Sequence, residues 1–230
     1  MRFVDHYDTL FFDMNGTFMF GHDRLTENED FFSTYRRLGG LRLNSEEVRN
    51  HVQQICACLR RDYDDPTRFD SFPSLLDAAA SYSELQGQDA KDIAGVIAAH
   101  ELGTVPRWAA ETLRALSDTH SLVLVTNVWA PADTWTPELQ RCGLSSVFRH
   151  QVFSSSLGVV KPSPRIFHAA LKLASVSPQS ALFIGDSLER DIIPAKEIGF
   201  GTALIAPSQQ STVADVTIRF IQELLQHNDA

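Results

Sequence analysis

A short apolar run near the start of the chain ends in one acidic residue and a Gly-Thr turn. Leu10, Phe11 and Phe12 are consecutive, Asp13 follows them, and Gly16 comes three positions later. Such a run is typical of a parallel strand covered on both faces, and glycine permits a sharp turn beside the acid. Ligands in open α/β sheets bind at strand ends, so Asp13 is a candidate nucleophile. Taken alone, the segment also fits an ordinary turn.

Two later apolar runs also end in polar groups. Residues 121–125 are followed by Thr126 and Asn127, and residues 180–184 lead into the acidic segment 185–191. The carboxyl ends of parallel strands meet at one edge of a sheet. The sequence therefore predicts that three strands deliver polar side chains to the same place.

One lysine lies between the last two of these runs, in a segment stiffened by prolines. Lys161 is followed by Pro162 and Pro164, and the chain has only four lysines. Proline fixes the backbone around it, so Lys161 is a candidate for a fixed positive charge. A surface lysine in a proline-rich loop is the alternative.

The other polar groups also have structural alternatives. Thr126 and Asn127 would suit a simple turn or a helix cap after a strand. Asp186 and Asp191 would cap the helix that follows them, because aspartate favours the first turn. A capping role and a metal-binding role can coexist in the same carboxylate.

The order of these segments resembles the haloacid dehalogenase-like hydrolase superfamily, most of whose members are magnesium-dependent phosphatases that act through a phospho-aspartate. The resemblance covers most of the chain and implies an α/β fold, with a Rossmann-like three-layer core, a parallel sheet and an inserted helical-bundle cap. It implies catalytic roles for Asp13, Asn15, Thr126 and Lys161, and substrate contacts from Thr126, Asn127 and Lys161. The implied Mg²⁺ ligands are Asp13, the backbone carbonyl of Asn15, Asp186 and, through bound water, Asp191.

Position 15 departs from the family pattern. Phosphatases of this type carry a second aspartate two residues after the nucleophile, and this chain has Asn15 there. An amide side chain cannot exchange a proton with the leaving group or with water. Asn15 therefore indicates a slow or divergent phosphatase, an engineered trap, or a protein that binds phosphate without hydrolysing it. Because Asn15 precedes Gly16, deamidation to aspartate is a further hypothesis.

The net charge and the lengths of the apolar runs argue against nucleic acid and membrane as partners. The formal charge of −9 argues against a general nucleic-acid surface, which needs clustered basic residues. No apolar run approaches the length of a membrane span, and residues 1–6 lack the pattern of a signal peptide. We expect a cytoplasmic enzyme of a small phosphorylated metabolite that binds neither nucleic acid nor membrane. The oligomeric state stays open.

The segment that follows Asp13 and the Gly-Thr turn has little strand pattern and is predicted to be an insertion. Residues 18–104 are predicted to form a four-helix cap resembling the family's C1 cap, with residues 1–17 and 105–230 forming the core. The predicted cap helices cover residues 27–38, 45–62, 73–85 and 89–102. Such a lid excludes water and favours small substrates, with residues 18–24 and 103–106 as hinges.

Several finer expectations follow from the same patterns. Thr26, Asn44 and Ser71 are candidate helix N-caps, and residues 219–227 are predicted to form a terminal helix. Two further expectations concern the site. Trp129 and Trp135 are expected near its mouth, and His22 in the first linker is a candidate substrate contact.

Overall fold

Six parallel strands form one sheet in the computed structural model, which describes residues 1–208 and 211–227. The strands, numbered in chain order, are β1 Thr9–Phe12, β2 Ser121–Thr126, β3 Phe148–Phe153, β4 Ala181–Gly185, β5 Gly201–Ile205 and β6 Val216–Ile218. Their order across the sheet is β3-β2-β1-β4-β5-β6. Strand β1 thus lies between β2 and β4, so the three strands that were predicted to end in polar groups are neighbours.

Nine α-helices of the described residues surround or extend from this sheet. They are α1 Phe31–Arg37, α2 Ser45–Asp64, α3 Leu75–Ser83, α4 Gly87–Glu101, α5 Arg107–Ser117, α6 Thr136–Arg141, α7 Ser154–Leu157, α8 Pro164–Ala174 and α9 Ile193–Ile198. The first four lie between β1 and β2 in the chain and pack on one another. Within residues 1–208 and 211–227, no helix is both long enough and apolar enough to cross a membrane.

Both faces of the sheet are buried, which explains the continuous apolar runs. Phe12 packs in a large cluster that includes Leu113 of α5 and extends into the helices inserted after β1. Its neighbour Phe11 points to the opposite face, where it packs with Phe167 of α8. Side chains alternate along a strand, so a strand covered on both faces needs apolar residues at every position. The predicted three-layer α/β fold is confirmed.

The four inserted helices occur where the sequence predicted them, with small shifts at their ends. Asn44 is the N-cap of α2, and its side chain accepts hydrogen bonds from the backbone N–H groups of residues 46 and 47. The caps predicted at Thr26 and Ser71 are wrong. Asp30 caps α1 instead, and Ser74 caps α3, because each lies directly before its first helical turn. The division at residues 17/18 and 104/105 into two domains stays a prediction.

Three other expectations do not match the described residues. Strands β3 and β6 were not predicted. Within residues 219–227, the expected terminal helix is only a 3₁₀ helix, Ile221–Leu225, which follows an extended Phe220. Trp135 is fully buried in the core rather than near the mouth of a site, whereas Trp129 is half-buried.

Removal of the α2 cap should cost stability. We expect Asn44→Ala to lower the free energy of unfolding by about 1 kcal/mol, because two backbone N–H groups lose their acceptor. Thr26→Ala is the matched control, since the Thr26 side chain is exposed and caps no helix. Urea unfolding of both variants measures the difference. Equal stability of the two would contradict the assigned cap.

Candidate active site

The site begins where β1 ends. The Asp13 backbone N–H donates to the Ile184 carbonyl at 2.9 Å, which continues the pairing of β1 with β4 by one residue. The Asp13 side chain is 8% exposed. Gly16 follows in a left-handed conformation with φ of +81°, and a Cβ atom there would overlap the Asp186 carboxylate. Glycine at position 16 therefore allows the two acidic residues to approach each other.

A buried lysine joins two of the acidic groups. The Nζ atom of Lys161 lies 2.6 Å from Asp13 Oδ1 and 2.6 Å from Asp191 Oδ1. Burial by itself lowers the pKa of Lys161, but the two carboxylates outweigh that effect and raise the pKa above its ordinary value. The ammonium is thus held charged. It uses two of its three N–H donors on these partners and keeps one for a ligand.

Three carboxylates surround a small volume. One oxygen from each of Asp13, Asp186 and Asp191 lies within 4.8 Å of the others. When all three are ionised, Lys161 offsets one negative charge and leaves two. Partial desolvation, followed by repulsion from Asp13 and Asp191, raises the pKa of Asp186 to about 7. A divalent cation with oxygen ligands would relieve this repulsion, so the donor set fits magnesium.

Asp191 differs from Asp186 in having both oxygens engaged. Besides its contact with Lys161, it accepts a hydrogen bond from the Ser187 backbone N–H at 3.0 Å. Desolvation raises the pKa of Asp191 to about 6 even though Lys161 lowers it. Asp191 therefore positions Lys161 in this structure. Its expected contact with a metal through water stays a prediction.

Two other predicted site residues carry polar atoms without partners. Thr126 ends β2 and is fully buried, and its Oγ1 has no hydrogen-bond partner among the described residues. The buried Oδ1 of Asn15 also lacks one there. Such groups are costly to bury unless something hydrogen-bonds to them. Asn15 lines the site cavity, where a polar ligand could satisfy its amide, whereas Thr126 is not among the residues that line that cavity.

The Asn127 side chain is engaged by protein groups. Its Nδ2 donates to the Tyr63 hydroxyl at 2.8 Å and to the Lys161 backbone carbonyl at 3.0 Å. Its Oδ1 accepts from the Lys161 backbone N–H at 2.8 Å. Asn127 thus fixes the backbone that carries the lysine. Substrate binding by Asn127 stays a prediction.

Two residues that the sequence did not reveal, Tyr63 and Arg190, also line the site cavity. Arg190 stacks on the Tyr63 ring at 3.6 Å from the ring centre. Its guanidinium donates to the Tyr63 carbonyl at 2.7 Å and to the Lys161 carbonyl at 2.9 Å. Tyr63 belongs to α2, so this contact ties the inserted helices to the lysine segment. No local pattern could show it, because the two residues are far apart in the sequence.

Glu101 makes a second connection between the inserted helices and the sheet. This residue ends α4, and its buried carboxylate accepts hydrogen bonds from the backbone N–H groups of Trp129 at 2.7 Å and Ala130 at 2.6 Å. Burial raises the pKa of Glu101 to about 8. The loop that follows Thr126 is therefore held by a residue of α4.

Most of the predicted site residues line one cavity of about 160 Å³, but Thr126 and Glu101 are not among its lining residues. Its lining includes Asp13, Asn15, Lys161 and Asp186, together with His22 of the first linker. The arrangement offers a buried carboxylate at Asp13, a fixed ammonium at Lys161 and a carboxylate cluster suited to a metal.

A sequence model of haloacid dehalogenase-like hydrolases matches residues 7–199. The chain belongs to this family. The family consists of hydrolases, and the order of the segments with Asp13, Thr126, Lys161 and Asp186 agrees with that assignment.

The chain is also similar to individual curated proteins over part of its length. The chain is 33% identical over 137 residues to a glyceraldehyde 3-phosphate phosphatase of Pyrococcus furiosus, which covers 57% of this chain and 56% of the relative. The chain thus spans about half the length of the first curated relatives that it matches.

Solved structures confirm the fold alone. A haloacid dehalogenase-like phosphatase from Thermococcus onnurineus has a TM-score of 0.63 at 22% identity, with 94% of this chain and 95% of that chain covered. A 2-haloacid dehalogenase from Pseudomonas syringae has a TM-score of 0.65 at 20% identity, with 95% and 96% covered. The same fold thus carries two chemistries, and the side chains of the site must distinguish them.

Loss of the buried ammonium should destabilise the metal-free protein. We expect Lys161→Met to lower the free energy of unfolding by about 3 to 5 kcal/mol, because two buried carboxylates lose their partner. Lys172→Met is the control, since Lys172 is exposed at the end of α8. Denaturant unfolding in a chelator tests this. A loss no larger than that of the control would contradict the assigned ion pair.

Glu101 should contribute a measurable pH dependence. Its folded-state pKa of about 8 lies above the unfolded value, so the folded protein holds a proton that the unfolded chain releases. The stability contributed by this proton is present at low pH and is lost as the pH rises toward 8. We expect Glu101→Gln to reduce the fall in unfolding free energy between about pH 5 and about pH 8.

Glu111→Gln is the control for this measurement, because Glu111 is exposed on α5. Urea unfolding at both pH values gives the two slopes. A Glu101→Gln slope identical to that of the wild type would show that Glu101 does not titrate in this range.

Proposed function

We propose that the protein is a magnesium-dependent phosphatase of a small phosphorylated metabolite and that Asp13 forms an aspartyl-phosphate intermediate. The observation that carries this proposal is the placement of Lys161 between Asp13 and Asp191, with Asp186 beside them. An anionic carboxylate can attack an anionic phosphoryl group only where positive charge offsets the repulsion. This site supplies one fixed cation and the ligands for another.

The remaining groups have distinct tasks in this proposal. The free N–H of Lys161 and the Thr126 hydroxyl bind phosphoryl oxygens, which gives the unpartnered Oγ1 a hydrogen bond. Magnesium, when held by Asp13, the Asn15 backbone carbonyl and Asp186, and by Asp191 through water, would neutralise charge on the transferring group. An asparagine at position 15 has the same backbone carbonyl as an aspartate, so this ligand is retained.

The side chain of Asn15 cannot serve as general acid or base. General acid-base catalysis contributes about 10² to 10⁴-fold, which corresponds to roughly 3 to 5.5 kcal/mol of barrier. Unless another group transfers the proton, we expect turnover to be slower by that factor than with an aspartate at position 15.

The substrate should be small. The cavity of about 160 Å³ favours a compact phosphate ester over a large polymer. Residues 18–24 and 103–106 are the proposed hinges of a cap formed by residues 18–104, and Phe20 and Thr104 pair by two backbone hydrogen bonds of 2.9 and 2.8 Å. A relative named glyceraldehyde 3-phosphate phosphatase supports a compact phosphorylated metabolite as substrate.

A second candidate function is phosphate binding or regulation with little turnover, and Asn15 is the observation that favours it. Carbon-halogen cleavage is less well supported. In that reaction Asp13 would attack carbon without magnesium, and clustered carboxylates at Asp186 and Asp191 would have no cation to bind.

Phosphate release by the purified protein from a panel of small phosphate esters tests the proposal. We expect release with Mg²⁺ and loss of release in a chelator, because the carboxylates then lack their cation. Asp13→Ala should abolish release, while Asp118→Ala, an exposed control, should not.

The variant Asn15→Asp separates the candidate functions. Release by Asn15→Asp but not by the wild type would favour the phosphate-binding function. If neither protein releases phosphate from any ester in Mg²⁺, the assignment as a phosphatase is wrong.

A further inference from the structure

A histidine and an aspartate of the first linker are among the residues that line the cavity of the candidate active site. His22 and Asp23 line the same cavity as Asp13, Asn15 and Asp186. The Nδ1 atom of His22 is buried and has no hydrogen-bond partner among the described residues. On the other side of the ring, Nε2 lies 3.7 Å from Asp23 Oδ2. One ring nitrogen thus faces a carboxylate while the other has no protein partner.

This arrangement suits proton transfer. A neighbouring carboxylate favours a proton on the nearer nitrogen of an imidazole and leaves the other nitrogen free to accept one. An imidazole can donate a proton from one ring nitrogen and accept one at the other. Asn15, which lines the same cavity, has an amide that can do neither.

The backbone around His22 is held on both sides. Phe20 pairs with Thr104 through two hydrogen bonds, and the Asp23 N–H donates to the Glu101 carbonyl at 3.2 Å. Gly103 lies close by, where a Cβ atom would come within 3.2 Å of the His22 Cβ. These contacts between the two linkers hold the backbone from which the His22 side chain extends.

Two buried histidines make hydrogen bonds elsewhere, and a third histidine, with a ring nitrogen that lacks a partner in the described part of the chain, lies outside the cavity. His100 contacts Thr34 Oγ1 at 2.9 Å and the Arg24 carbonyl at 3.0 Å. His120 contacts the Val4 carbonyl at 3.1 Å. His51 also has a buried Nδ1 without a partner among the described residues, but it lies on α2 and does not line the cavity.

We propose that His22 is the general acid and base of phosphoryl transfer, in place of the side chain at position 15. The proposal rests on the phosphatase function proposed above and names the group that compensates for Asn15.

The proton balance closes over two steps. In the first, an Asp13 oxygen forms a bond to phosphorus, the ester P–O bond breaks, and the leaving oxygen takes the proton from Nδ1 of the His22 imidazolium. In the second, water attacks the phosphorus of aspartyl-phosphate while Nδ1 takes a water proton. The bond to Asp13 then breaks, which releases phosphate and restores both the carboxylate and the imidazolium.

A double-mutant cycle tests this role. The proteins are the wild type, His22→Gln, Asn15→Asp and the double variant, with His51→Gln as the matched control. Each is assayed in Mg²⁺ with glyceraldehyde 3-phosphate and with p-nitrophenyl phosphate. The second ester has a leaving group that needs no proton, so it separates the first step from the second.

For His22→Gln we expect kcat with glyceraldehyde 3-phosphate to fall by about 10² to 10⁴-fold. With p-nitrophenyl phosphate we expect a burst of nitrophenolate, and intact mass should show a phosphorylated enzyme, because the second step still needs a base. Asn15→Asp should restore most of the activity in the His22→Gln background. His51→Gln should stay within about threefold of the wild type.

Several results would overturn the proposal. One is turnover of both esters by His22→Gln within about threefold of the wild type. Another is an Asn15→Asp effect of equal size in both backgrounds, since independent sites are additive. A loss in His22→Gln that Asn15→Asp does not restore would indicate a structural defect instead.

The cycle also separates this inference from the phosphatase assignment. A wild type that is inactive while Asn15→Asp is active would exclude His22 and leave a hydrolytic site. An inactive Asn15→Asp protein together with an inactive wild type would overturn the phosphatase function and this proposal with it.

Discussion

The ammonium of Lys161, held between Asp13 and Asp191, is the interaction on which the site depends. It brings the end of β1 and the segment after β4 together in a volume from which water is largely excluded. Without it, two buried carboxylates would repel each other or take up protons. With it, Asp13 stays near a fixed positive charge, and the site still lacks enough cationic charge to neutralise Asp186. That remaining imbalance is the physical argument for a divalent cation.

Much of the fold was predictable because the central strands carry a strong local signal. Strands β1, β2 and β4 are buried on both faces, so their sequences are continuous apolar runs. The edge strand β3 includes exposed and half-buried positions, and β6 has only three residues, so neither carries such a signal. The polar residues at the ends of the central strands converge because parallel neighbours share an edge.

The contacts that hold the site together were less predictable. Arg190 and Tyr63 meet only after α2 packs over the sheet, and Glu101 reaches the loop after β2 from the end of α4. The family resemblance placed Lys161 among the substrate contacts without showing that two of its donors are already used by carboxylates. Position 15 and the histidine at position 22 lie in the same cavity, so the departure from the family pattern has a neighbour of suitable chemistry.

The most direct measurement is a crystal structure of the protein with Mg²⁺ and beryllium trifluoride, which mimics a phosphoryl group on aspartate. The account predicts the trifluoride on the Asp13 carboxylate, the cation between Asp13 and Asp186, and the Lys161 ammonium facing a fluorine. A cation bound elsewhere, or an Asp13 carboxylate that remains free while the ions occupy another surface, would contradict it.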